Sequence, residues 1–165
     1  MLAIICAKGE STRFPNKNKI LLPQVLYEMN YEFKGKMLLA TDSEEIAKLA
    51  IGRVNILMRP KNISRNETSV FDVARWAYNS LNERHKIIIV VLPNVIDFQW
   101  FQVDLGIKLL KEKNLNEVRT YNYDGTENGI IIMREDWFLN GTLSVYCGAI
   151  ISDAYEIHRK SELPK

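Results

Sequence analysis

The chain has 165 residues, 47% hydrophobic and 25% charged, with a formal net charge of +2. That balance is that of an ordinary globular domain with one sizeable core, and it is too weakly basic to argue for nucleic acid or an anionic membrane as partner. Two cysteines do not make a disulfide scaffold, and the apolar start is too short for a signal peptide or a membrane span, so the expected location is the cytoplasm.

The first expected element is a buried strand over 2–7, Leu2-Ala3-Ile4-Ile5-Cys6-Ala7. It runs into a small-residue, basic loop from Lys8 to Lys19. Such a loop suits a polyphosphate: Gly9 lets the backbone approach closely, and Ser11 with the backbone N–H groups can form an anion-binding concavity. Lys8, Arg13 and Lys17 supply countercharge. The plain alternative is a solvated basic turn. A helix is expected over 20–30 and a strand over 36–41. Thr41 or Asp42 should cap the next helix, 43–51, with Glu44 and Glu45 in its first turn.

A strand over 54–58 then leads to Arg59-Pro60. Arg59 either serves a ligand or pairs with Asp42 or Glu67. Ser69 either touches a ligand or simply starts the helix at 68–82, where Val73, Ala74, Ala77, Tyr78 and Leu81 recur at helical spacing. The β-branched run Lys86–Leu92 has the character of a central parallel strand. Phe98, Trp100 and Phe101 open a helix over 99–113 and either pack on the sheet or form an exposed contact patch. Strands at 117–122, 128–133 and 143–149 complete the series. Cys6 and Cys147 fall in apolar runs and are expected to be buried thiols. His85 is expected at the solvated surface, and His158 is isolated, with no metal partners at ligand spacing.

Strands alternating with helices over short connections predict one α/β domain: three layers, with a Rossmann-like, mixed but mostly parallel sheet. Ligands of such sheets lie at the carboxyl ends of the strands. That places the 8–19 loop, Thr41-Asp42, Arg59 and Pro93-Asn94 on one rim.

Four segments resemble a known family. The loop A-K-G-E-S-T-R-F-P-N-K-N, the element Ala40-Thr41-Asp42-Ser43-Glu44-Glu45-Ile46-Ala47, the stretch from Arg59-Pro60 to Ser69, and Asn128-Gly129-Ile130-Ile131-Ile132 stand in the order of the sugar-acid cytidylyltransferases, typified by acylneuraminate (CMP-sialic acid) synthetase. The resemblance implies a fold of the nucleotide-diphospho-sugar transferase type. It also implies transfer of CMP from CTP to a sugar acid such as a sialic acid, with release of pyrophosphate and help from Mg²⁺. By the same resemblance Lys8 and Lys17 are the catalytic grips on the triphosphate. Ala7, Gly9, Ser11, Arg13, Asn18, Arg59 and Ser69 contact the nucleotide, and Asp153 binds the metal with Asp97 and Glu156 as helpers.

The departures from that pattern are specific. Lys8 replaces an arginine, so a forked grip becomes a point charge. Leu92-Pro93-Asn94-Val95-Ile96-Asp97-Phe98 lacks the family's glutamine, serine and arginine, and Ser152-Asp153-Ala154 keeps one of two metal-binding acids. The segment that builds the family's dimer shrinks to 121–127, which predicts a monomer or a different dimer. Two other readings therefore stand beside the enzyme: a nucleotide-binding protein without catalysis, and an interaction scaffold.

Overall fold

The computed structural model describes residues 1–11, 13–65, 67–141 and 145–163. Its centre is β1 (Leu2–Ala7), buried along its whole length because both faces are covered. Leu2, Ile4 and Cys6 point to one core, and Ala3, Ile5 and Ala7 to another, as the two-residue period of a strand requires. On the Ala3 face lie α1 (Lys17–Glu32) and α4 (Phe101–Glu112); on the Leu2 face lies α3 (Val70–Asn79). This sandwich of helix, sheet and helix is the three-layer architecture expected from the alternation.

The main sheet also contains β2 (Lys36–Thr41), β3 (Asn55–Met58), β4 (Ile87–Val91), β6 (Glu117–Tyr121), β7 (Glu127–Arg134) and β8 (Cys147–Ile151). Their spatial order is β3-β2-β1-β4-β7-β6-β8. Only β7 runs against its neighbours, pairing antiparallel with β4 and β6; the other pairs are parallel. The carboxyl ends of β1, β2, β3, β4 and β6 therefore share one rim with the amino end of β7. A two-stranded sheet, β5 (Val95–Ile96) with β9 (Tyr155–Glu156), sits apart from the main one. Its Ile96, with Ile157, packs against Phe14 and Leu21 and so anchors the middle of the basic loop. No helix among the described residues is long and apolar enough to cross a membrane.

Several local expectations are corrected. Helix α1 starts at Lys17, three residues early, because Asn16 turns left-handed (φ 60°) and the Lys17 N–H donates to Phe14 O at 3.1 Å. The cap of α2 (Glu44–Ala50) is neither Thr41 nor Asp42: Ser43 Oγ accepts the Ile46 N–H at 3.4 Å. Cys147 is exposed rather than buried, because β8 is an edge strand whose residues 147, 149 and 151 face outward. The part of the expected last strand at 143–144 lies outside the described residues. Phe98 and Trp100 are buried against each other at 5.1 Å between ring centres, so the aromatic cluster is a helix start; only Phe101 is exposed. His85 is half-buried, beside Glu83 and the Tyr78 ring. Helix α5 (Glu135–Asn140) has no counterpart in the sequence reading.

Candidate functional site

The basic loop leaves the rim at Ala7 and is tied down on both sides. Asp42, one residue past β2, accepts the Gly9 N–H on Oδ1 at 2.7 Å. From the helix side, the buried Asn18 donates Nδ2–H to Lys8 O at 2.7 Å. Glycine is needed at residue 9 because a Cβ there would stand 2.8 Å from Ser43 Cβ, closer than carbon atoms tolerate. The loop thus lies directly on the start of α2.

Between them opens a cavity of about 560 Å³ bordered by Lys8, Gly9, Lys19, Asp42, Ser64 and Arg65. A second hollow of about 370 Å³ continues past Ser11 and Asn16. Both fall in the size range of small-molecule sites. Lys8, Lys19 and Arg65 bring three cations to the first cavity beside the carboxylates of Glu10 and Asp42, with Lys19 also paired to Glu45 of α2. Arg65 was not singled out by sequence; the signal available was its place in the basic stretch after Arg59-Pro60.

Arg59 lies behind Asp42. Its peptide N–H donates to Thr41 O at 2.7 Å. Only 5% of its side chain is exposed, and Nη2 stands 3.0 Å from Asp42 Oδ2. Its buried Nε has no hydrogen-bond acceptor among the described residues. The neighbouring Cys6 thiol is pushed up to about 12 by burial, an effect partly offset by the Arg59 charge.

Lys17 belongs to the other side of the rim. Burial lowers its pKa, the carboxylates of Glu156 and Glu162 oppose that, and Arg13 reinforces it. Arg13 itself is exposed and Ser11 half-buried. Ser69 caps α3: its Oγ accepts the Asp72 N–H at 3.1 Å and donates to Asp72 Oδ2 at 2.7 Å. It borders a separate groove with Phe71, Arg75 and Arg119.

The geometry therefore gathers Ala7, Lys8, Gly9, Asn18 and Arg59 around Asp42, whereas Lys17 stands on the other side of the rim with Glu156 and Glu162. Asp153 is exposed beyond β8, the outermost strand. Asp97 is exposed with φ 59°, and Glu156 is held by Asn94 and His158. Among the described residues no three His, Cys, Asp or Glu side chains are grouped to hold a metal ion. A caged metal does not fit here. A single carboxylate fits Mg²⁺ only as one ligand beside phosphates and water, a usual arrangement for that ion.

The sequence matches no protein-family profile and no curated protein. Solved structures do match in fold. CMP:2-keto-3-deoxy-manno-octonic acid synthetase, solved with CTP, superposes with a TM-score of 0.72 at 11% identity, over 97% of this chain and 93% of that one. Glucosyl-3-phosphoglycerate synthase from Mycobacterium tuberculosis, solved with Mn²⁺, uridine diphosphate and glucosyl-3-phosphoglycerate, gives 0.68 at 9% identity, over 98% and 73%. The 4-diphosphocytidyl-2C-methyl-D-erythritol synthase from Anaerococcus prevotii gives 0.62 at 10% identity, over 98% and 91%. The chain has the fold of the nucleotide-diphospho-sugar transferases. At these identities the likeness is one of fold.

Proposed function

We propose that the protein is a nucleotidyltransferase that binds CTP on the loop after β1 and transfers CMP to the hydroxyl of a small acceptor. The observation that carries this reading is the loop after β1: Asp42 and Asn18 clamp its backbone at Gly9 and Lys8 over a cavity of about 560 Å³ that Lys8, Lys19 and Arg65 border. Two fold neighbours are cytidylyl-type synthases, which supports the choice of nucleotide.

In the proposed reaction the acceptor oxygen attacks the α-phosphorus of CTP and loses its proton to solvent. The bond from that phosphorus to the bridging oxygen breaks, and pyrophosphate leaves. Catalysis then rests on positioning and charge neutralisation. The Gly9 N–H is already taken by Asp42, so the loop N–H groups beyond it, those of Glu10 and Ser11, would hold phosphate oxygens. Lys8 and Lys17 would balance the developing charge on the leaving group from two sides, and Asn18 would keep the loop closed through Lys8 O. Bound Mg²⁺ would neutralise the triphosphate, held chiefly by phosphate oxygens and water.

Calorimetric titration with CTP, in Mg²⁺ and again in EDTA, tests this reading. Binding that is lost in Lys8→Ala and Arg59→Ala, with pyrophosphate release in the presence of an acceptor, is expected. The solitary, exposed Asp153 favours one alternative, a nucleotide-binding protein without turnover. Metal-independent CTP binding with no pyrophosphate from any acceptor would establish that alternative instead.

A further inference from the structure

On the same rim, beneath the first turn of α3, lies a third cavity of about 190 Å³. Its walls are apolar: Val70 and Phe71 from α3, Val90 and Leu92 at the end of β4, and Ile131 of β7. Whole small-molecule sites start at about 300 Å³, so this one has room for part of a ligand. Glu156, which borders it, lies on β9, whose partner β5 packs through Ile96 on Phe14 of the loop.

The charges around it are unusual for a site meant to receive an acid. Among the described residues that line it, Arg119 is the one cation. Its Nη1 lies 3.1 Å from both oxygens of Glu127, and its Nε lies 3.1 Å from Oε1 of the buried Glu117. That guanidinium is therefore already matched by two carboxylates. Glu156 stands over the opposite wall, held by Asn94 Nδ2 at 3.3 Å and His158 Nε2 at 3.1 Å. Gly129 makes room for it: a Cβ there would come within 2.5 Å of Glu156 Oε1, and its φ of 75° suits glycine.

We infer that this cavity receives the uncharged carbon skeleton of the acceptor and excludes a carboxylate. The inference rests on the nucleotidyl-transfer reading, and it makes the acceptor a neutral sugar or polyol instead of the sugar acid implied by sequence resemblance. A neutral sugar ring can lay its C–H face on the apolar walls and donate hydroxyl hydrogen bonds to Glu127 and Glu156. An acid would have to displace Glu127 from Arg119 and face Glu156 as well. Like charges placed together without a free countercharge are strongly disfavoured at interfaces.

The test is an NMR titration of ¹⁵N-labelled protein with D-glucose and D-glucuronate, which differ at one carbon by CH₂OH against COO⁻. Amide shifts of Gly129 and Ile131 report the cavity. Glucose is expected to bind at least about tenfold more tightly than glucuronate. Glu127→Gln should narrow that ratio by freeing one face of Arg119. Equal or tighter binding of glucuronate to the unmodified protein, or shifts from neither sugar, would overturn the inference. CTP is titrated separately against the amides of Gly9 and Ser11. Silence there would sink the nucleotidyl-transfer reading on its own, whatever the sugars do.

Discussion

One carboxylate serves two masters at the rim: Asp42 Oδ1 accepts the Gly9 N–H at 2.7 Å, while its Oδ2 stands 3.0 Å from Arg59 Nη2. The loop backbone and the buried guanidinium are thereby fixed relative to each other. Removing Asp42 should release both. Asp42→Ala leaves Arg59 buried without a countercharge, which costs about 3 kcal/mol or more. Asp42→Asn keeps an acceptor for Gly9 and should fall between wild type and alanine. Urea unfolding gives the stabilities, and CTP calorimetry should show affinity falling in the same order.

Gly9 faces a steric limit, not a conformational one. Gly9→Ala drives a methyl to 2.8 Å from Ser43 Cβ, so the loop must lift from α2. Overpacking of this kind costs about 1–3 kcal/mol. The double variant Gly9→Ala/Ser43→Gly removes the clashing atom, and a glycine N-cap loses only a few tenths of a kcal/mol relative to serine. Thermal or urea unfolding of the two singles and the double should therefore show strong non-additivity, with the double close to wild type.

The two cysteines should react differently. Cys147 is exposed on the edge strand and should be alkylated by iodoacetamide in the native protein. Cys6 is buried, with its pKa pushed up to about 12, and should be modified only after unfolding. Intact mass should show one adduct under native conditions and two in denaturant. The shift also has a stability consequence. In the unfolded chain the thiol ionises near 9.0, whereas in the fold it stays protonated until about 12. The unfolded state therefore holds fewer protons in that window, and stability falls as pH rises through it. Cys6→Ala should flatten this alkaline loss, measured as the urea midpoint against pH.

Lys17 carries a lowered pKa, so it loses its charge at less alkaline pH than an ordinary lysine. If it balances phosphate charge, CTP affinity should weaken as pH rises through that depressed value. Lys17→Arg should hold the affinity constant over the same range, since arginine stays charged. Calorimetry across alkaline pH distinguishes the two. A wild-type profile as flat as that of the arginine variant would remove Lys17 from the phosphate site.

The parts of this structure that could be read from sequence are those governed by local pattern. The all-apolar run of β1, the β-branched run of β4 and the helical spacing of Val73, Ala77 and Tyr78 each specify an element without reference to distant residues. The loop was visible because its charge and glycine are contiguous. Long-range relationships were legible only in part. The pairing of Arg59 with Asp42 was one of the alternatives the sequence offered, whereas the attachment of Asp42 to Gly9, 33 positions away, left no local signal. The exposure of Cys147 depends on β8 being outermost, which follows from topology and not from its own apolar letters. The two-residue pairing of β5 with β9, and hence the placement of Glu156 over Gly129, leaves almost no periodicity to detect.

Strand β7 enters the sheet against the direction of its neighbours, so its first residues meet the rim and the turn from Asn122 to Thr126 stands there too. That turn is held by Thr126 O accepting from the Asn122 N–H, by Asn122 O accepting from the Gly125 N–H, and by Asn122 Oδ1 accepting from Asn128 Nδ2 of β7. Residues added at its tip, around Asp124, would leave the bond to Asn128 in place and build a higher wall around whatever occupies the rim. The openness of the site is thus adjustable in a segment that carries none of its chemistry.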